Sequence, residues 1–272
     1  YGGFAGVETS RDQRDWTANV TTISGNGFSR CVGGADNAIL DGFTITGGNT
    51  GGFGGGMLND NVSPTVMNCV FSMNHAVKGG GMYNAGNAPV VVDCTFSNNY
   101  AENGGGIYND TDAAPTVSGC TFLQNTAAAV GKGGGMYNRW ASPLLMECYF
   151  SGNHAGQAGG GLYTTGSEGG PHLTDCTFYQ NNADVAGGGI YNDSAGTVVD
   201  QCAFMGNSSN FGGGMNNHDS SGLTISNSAF VGNYVWSDGG GMLNLQCAPS
   251  ITDCTFRSEE HTSELQSPNT IS

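Results

Sequence analysis

The stretch GGGMYNAGNAPVVVDCTF, Gly79 to Phe96, recurs with small changes seven more times along the chain. Its glycine triplets begin at Gly54, Gly79, Gly104, Gly133, Gly159, Gly187, Gly212 and Gly239, so successive starts lie 25, 25, 29, 26, 28, 25 and 27 residues apart. Self-similarity at that period is the signature of stacked units rather than of one globular core. The 272 residues therefore count coils of one elongated domain.

Four columns stay apolar from unit to unit. The residue after each triplet is Met57, Met82, Ile107, Met136, Leu162, Ile190, Met215 or Met242. A thiol column runs Cys69, Cys94, Cys120, Cys148, Cys176, Cys202, Ser228, Cys254, and two residues beyond each stands a Phe, from Phe71 to Phe256. A spacing of two places Cys and Phe on one side of one strand. The fourth column is Val66, Val91, Val117, Leu145, Leu173, Val199, Ile225 and Ile251, three residues before the thiol column. That interval breaks strict alternation, and the residue just before each thiol position explains it: Asn68, Asp93, Gly119, Glu147, Asp175, Gln201, Asn227 and Asp253 are mostly types that tolerate a left-handed backbone, so the chain turns there.

Each unit thus reads as strand, loop, strand, tight corner and strand, followed by a second loop carrying Asn74, Asn99, Asn125, Asn153, Asn181, Asn207 or Asn233. Three short strands per coil of about 25–29 residues, stacked coil on coil, describe an all-β right-handed parallel β-helix with a core roughly 34 Å long. No segment shows apolar spacing at three and four, and the frequent Gly, Asn and Pro oppose helix. An antiparallel sandwich is the rival, but identical inward columns are hard to place in hairpins. Residues 1–53 are expected to form an N-terminal cap and degenerate first coils, with Ile45 where later units put Phe, and residues 54–256 the regular repeats. Residues 257–272 read as a sequencing-adapter artefact, because RSEEHTSELQS resembles no part of the repeat and Glu259 stands where the units before it carry Asn. The abrupt start on Tyr1 suggests that the natural beginning, with any signal peptide, lies outside this sequence.

The pairing of GGGM, GGGI or GGGL with FSMN, FSNN, FLQN, FSGN, FYQN, FMGN and FVGN resembles the tandem GGA(I/L/V) and FxxN repeats of the polymorphic outer membrane protein family. The resemblance covers Gly54 to Phe256. A third Gly stands where that family often has Ala, and no C-terminal membrane barrel accompanies these residues, so outer-membrane anchoring is not implied. More broadly the chain is similar to secreted bacterial proteins of the pectate-lyase-like superfamily, which implies an extracellular or cell-surface location.

Composition narrows the partners. Seven Lys and Arg against 22 Asp and Glu give a net charge of −15, with no basic cluster, so nucleic acid and anionic membranes are unsuited ligands. No apolar run is long enough to span a bilayer as a helix. Asn59, Asn84, Asn109, Asn138, Asn192, Asn217 and Asn244, with Thr164 in the same column, are expected inside as a ladder of amides. The thiol column reads as small core filler rather than as metal ligands or disulfides, since no CxxC pair occurs; Cys31 and Cys247 stand outside it.

Between the Met and Asn columns, Tyr83, Tyr108, Tyr137, Tyr163 and Tyr191 point outward and are expected to form an exposed aromatic stripe. Such a stripe suits sugar rings or a protein partner; equally, Tyr is a good strand residue stabilised by its stacked neighbours. Catalytic groups are sparse: Lys78, Lys132 and Arg139 are the basic residues of the repeats, Glu147 and Asp175 share a corner column, and His75, His154, His172 and His218 lack metal-binding spacing. No catalytic residue, metal ligand or cofactor is assigned, although loop Asp residues leave structural calcium open. The expectation is a non-enzymatic extracellular β-solenoid, a surface or secreted adhesin- or stalk-like protein binding a glycan or protein on a lateral face. The alternative is a polysaccharide lyase or glycoside hydrolase whose site lies in loops or beyond this sequence.

Overall fold

The computed structural model describes residues 1–166, 169–257, 260–261 and 270–271. The chain is an all-β parallel solenoid in which each strand pairs with its counterparts in the coils before and after. Like stacks on like: Ile107, Tyr108 and Asn109 lie in register between Met82, Tyr83, Asn84 and Met136, Tyr137, Asn138. Val91 lies between Val66 and Val117, and Phe96 between Phe71 and Phe122. One described pair departs from this pattern, Thr270–Ile271, which runs antiparallel to Leu243 and Met242.

Among the described residues the strands form four sheets, not the three expected per coil. Three are the sheets of the Met-Tyr-Asn, valine and phenylalanine strands. The fourth, here the alanine sheet, stacks His75–Lys78, Tyr100–Asn103, Thr126–Ala127, His154–Ala155, Asn182–Ala183, Ser208–Phe211 and Tyr234–Asp238. These strands are short, and each turns inward one main small residue, such as Ala76, Ala101 or Ala127. A single inward alanine gives too little alternation to announce a strand in the sequence.

Four columns of left-handed backbone make the corners. The residues before the thiol column all have φ between 48° and 61°, as their types suggested. A second column, Met73, Asn98, Gln124, Gly152, Gln180, Gly206 and Gly232, precedes the FxxN asparagine with φ of 50° to 61°. The first glycine of every triplet supplies the third, at 62° to 76°, and Asn61 through Gln246 the fourth. Such a conformation costs a non-glycine residue roughly 1 kcal/mol, so its repetition at fixed places marks an architecture that overrides local preference.

Inside, the aliphatic, valine, thiol and phenylalanine columns form one continuous buried cluster. Phe71 to Phe256 make a stack of near-parallel rings whose centroids lie 4.4 to 5.1 Å apart. Burying each such side chain contributes about 1.5–3 kcal/mol. Cys94, Cys120 and Cys148 line up along the axis, each thiol donating to a carbonyl one coil earlier: Val66, Val91 and Val117, at 3.6, 3.6 and 3.4 Å. Ser228 fills the same column differently, donating to Ser226 O at 2.7 Å and accepting the Cys202 N–H at 3.0 Å.

Two amide ladders run through this core. The expected one links Asn59, Asn84, Asn109 and Asn138 by Nδ2–H to Oδ1 bonds of 2.8 Å and ends on the Thr164 hydroxyl at 3.3 Å. It resumes from Asn192 through Asn217 to Asn244. The second consists of the FxxN asparagines, which the sequence reading put in a loop. Asn74 through Asn233 are buried, each Nδ2 donating to a backbone carbonyl one coil earlier and, from Asn74 to Asn207, to the next amide as well. Since buried amides left unpaired are costly, both ladders lock coil to coil in one register.

The third glycine is explained by the same stacking. A Cβ on Gly106 would lie 2.4 Å from the Gly135 carbonyl oxygen and 3.1 Å from the Phe122 ring, so Ala has no space there. Length varies at restricted places. Five residues separate the thiol column from the ladder asparagine in every coil, from Cys69–Asn74 to Ser228–Asn233. Most of the extra residues of the longest coil fall between Asn125 and Gly133, and most of those of the Gly159 coil between Thr164 and Cys176.

At the N-terminal end the first coil strands are Thr21–Ser24, Val32–Gly33, Ile39–Asp41 and Phe43–Thr46, with Ile45 paired to Phe71 in the phenylalanine column. Of the stretch expected to be foreign, Arg257 closes a strand beside Val231, and much of the remainder lies outside the described residues. No helix among the described residues is long and apolar enough to cross a membrane.

Candidate functional site

The tyrosine column lies on the outer side of the Met-Tyr-Asn sheet and stacks as the sequence implies, but it is not an exposed stripe. Tyr83, Tyr108, Tyr137 and Tyr163 are buried in a second apolar cluster, against which Leu58, Ala85 and the half-buried Tyr191 pack. The chain that enters each glycine triplet folds over the rings: Phe53 stacks on Tyr83 at 4.8 Å, and Ala158 joins the cluster. Lys78 Nζ sits over Phe53 and Tyr108, and Lys132 Nζ over Tyr163, at 4.6 to 5.1 Å. Ring centroids along the column are 4.6 to 5.6 Å apart, so the faces a sugar would stack on are occupied by neighbouring rings.

The three basic residues of the repeats all converge on this column. Asp110, buried, accepts the Tyr83 hydroxyl at 2.8 Å and the Arg139 guanidinium at 2.6 Å, with Lys78 Nζ 3.4 Å away. Burial alone would raise the Asp110 carboxyl, but the Thr111 N–H, Tyr83 and the two cations outweigh it and hold it below the ordinary aspartate value. Farther along, Tyr163 donates to Asp193 at 2.9 Å and accepts from Lys132 at 2.9 Å, beside a cleft of about 140 Å³ reaching Tyr191. Burial pushes the Tyr137 hydroxyl up to about 12 and raises Tyr83, Tyr108, Tyr163 and Tyr191 as well. The arrangement is a sealed, charge-compensated strip that fastens adjacent coils.

The remaining candidates are dispersed. Glu147 and Asp175 are exposed left-handed corner residues, the role their column suggested. His75 stacks on Tyr100, His154 Nδ1 meets Asn182 Oδ1 at 2.9 Å, and His218 lies 3.4 Å from Asp219. His172 is an exposed residue of the valine sheet. Among the described residues no three His, Cys, Asp or Glu side chains gather as metal ligands.

Two outer features escaped the sequence reading. The outward face of the phenylalanine sheet carries, in register, Thr22, Thr44, Val70, Thr95, Thr121, Tyr149, Thr177, Ala203 and Ala229 in one column. The other holds Ser24, Thr46, Ser72, Ser97, Leu123, Ser151, Tyr179, Met205 and Val231. None of these side chains is charged; beyond them the two columns continue to Thr255 and to the cationic Arg257. On the alanine sheet, Asn182, Asp184, Asn210 and Trp236 line a cleft of about 450 Å³. The first appears only when the outward positions are compared coil by coil, and the second lies on strands too short to announce themselves.

Comparison with protein families finds a right handed beta helix region over residues 2–122 and again over 105–264. Searches of curated proteins and of solved structures returned no match.

Proposed function

The chain belongs to the right-handed beta helix family, and from that premise we propose that it is a non-enzymatic binding solenoid. It is a surface or secreted, adhesin- or stalk-like protein whose lateral face takes a glycan or protein ligand. The observation that carries this reading is the outer face of the phenylalanine sheet, uncharged from Thr22 to Val231, on a chain of net charge −15. Charged groups resist desolvation, whereas methyl and aromatic groups give up water at little cost and hydroxyls can exchange it for hydrogen bonds to a polar, uncharged partner. A flat face of Thr, Ser, Val and Tyr held by rigid stacking therefore favours an uncharged partner surface, while the acids elsewhere keep the rod soluble. The carboxylate and cations best placed for chemistry, Asp110, Lys78 and Arg139, are already engaged with one another.

The test is co-sedimentation of the chain with insoluble neutral polysaccharides and capture of protein partners, alongside assays of polysaccharide turnover with added calcium. Binding that is lost on the double substitution Thr95→Glu, Thr121→Glu, without turnover by the unsubstituted chain, supports the reading. Bond cleavage by the unsubstituted chain refutes it in favour of a lyase or hydrolase.

A further inference from the structure

We infer that the cleft over the alanine sheet is a binding subsite for an uncharged saccharide. The inference rests on the binding reading above for its biological sense, but it concerns a different face and different residues. Asp184, Asn210 and Trp236 follow the inward residues Ala183, Ser209 and Val235 in three successive coils, so they rise one above another over about 10 Å. Asn182 flanks them, and the cleft they line holds about 450 Å³, within the range of small-ligand sites.

The polar groups are held in place by their neighbours. His154 Nδ1 meets Asn182 Oδ1 at 2.9 Å, and the Asn182 amide donates to Ser208 Oγ at 2.9 Å. Asn210 donates to the Asp184 carbonyl at 2.8 Å. The Asp184 carboxylate stays open, its side chain 58% exposed, with His154 Nε2 3.9 Å away. Trp236 is 55% exposed and stands edge-on to Tyr234, centroids 5.0 Å apart. One coil below Asp184, Gly156 is buried against the Ala128 and Ala129 backbone, which bounds that end of the cleft.

An indole face matches the C–H face of a pyranose, a carboxylate accepts from vicinal hydroxyls, and fixed amides supply the donors and acceptors for the rest. The negative Asp184, on a chain of net charge −15, disfavours uronic acids and selects neutral sugars.

The test is calorimetric titration of the full chain with hexasaccharides of β-1,4-linked glucose, xylose, mannose and N-acetylglucosamine, with hexagalacturonate as the charged comparison. At least one neutral oligosaccharide is expected to bind, hexagalacturonate is not, and Trp236→Ala and Asp184→Ala each weaken binding by on the order of tenfold with unchanged unfolding midpoints. The subsite is overturned if none of the neutral oligosaccharides binds, or if Trp236→Ala keeps affinity within about twofold. Binding that survives Trp236→Ala but is lost in Thr95→Glu, Thr121→Glu removes the subsite and leaves the binding reading standing. Turnover of the oligosaccharide, sensitive to Trp236→Ala, instead removes the non-enzymatic reading and keeps the subsite.

Discussion

Tyr83 donates its hydroxyl hydrogen bond to Asp110 across one coil step, at 2.8 Å. With Arg139 reaching the other carboxylate oxygen from the following coil, at 2.6 Å, one buried acid fastens three turns of the solenoid. The tyrosine strip is thus a second core whose polar ends close on one another.

Asp110 should therefore make stability depend on acidity. Its carboxyl is held below the ordinary aspartate value, so the folded chain binds this proton more weakly than the unfolded chain. The contribution is present above about pH 4 and is lost as pH falls through the depressed folded value. Asp110→Asn should lower stability at neutral pH by about 1–3 kcal/mol and shallow the acid loss. Urea midpoints measured from pH 7 to pH 3 check this; parallel curves for both proteins would contradict it.

The glycine triplet yields a sharper contrast. Gly106→Ala must push a methyl against the Gly135 carbonyl and the Phe122 ring, and should cost at least about 2 kcal/mol. Gly51→Ala, where nothing lies within 4 Å of the added carbon, should stay within about 0.5 kcal/mol. Thermal melts of the two variants decide the matter.

Of the two ladders, the FxxN one is the less forgiving. Asn125 donates to Phe96 O and Asn153 Oδ1 and accepts from the amides of Asn99, backbone and side chain, all at 2.9 to 3.1 Å. Asn125→Ala should cost about 3 kcal/mol or more, because buried partners are left unpaired. Asn138→Thr should cost about 1 kcal/mol, since Thr164 already serves one coil away. Equal losses in chemical denaturation would show that the ladders do not differ.

Much of this was legible because eight copies repeat each requirement. The Met, Val, Cys and Phe columns, the corner residues before each thiol and the Asn59 ladder all stand where the repeat places them. What stayed hidden has physical causes. An asparagine beside a chain reversal reads as a turn former, which concealed the Asn74 ladder. A two-residue strand such as Thr126–Ala127 has no period to detect. Alternation tells that Tyr108 points away from the first core; it does not tell that Lys78 and the neighbouring chain come back to cover it.

Thiol reactivity follows from the same burial. Six cysteines, Cys69, Cys94, Cys120, Cys148, Cys176 and Cys202, are buried, and Cys31, Cys247 and Cys254 are partly accessible. A thiol-reactive dye should label at most these three in the native chain and all nine in denaturant. Burial raises Cys31 and Cys247, so their labelling should be slow at neutral pH and quicken as pH rises. Rapid native labelling of Cys120 would mean that the column opens.

Because the interval of five positions from thiol to ladder asparagine never varies while the segments on either side of the triplet change length, the rod has a rigid spine and two tolerant seams. A peptide inserted after Ala127, or between Thr165 and His172, falls between strands and adds bulk sideways without changing the rise per coil. Variation can accumulate at those seams, and new recognition loops can be displayed there at a chosen height, without rewriting the barrel that carries them.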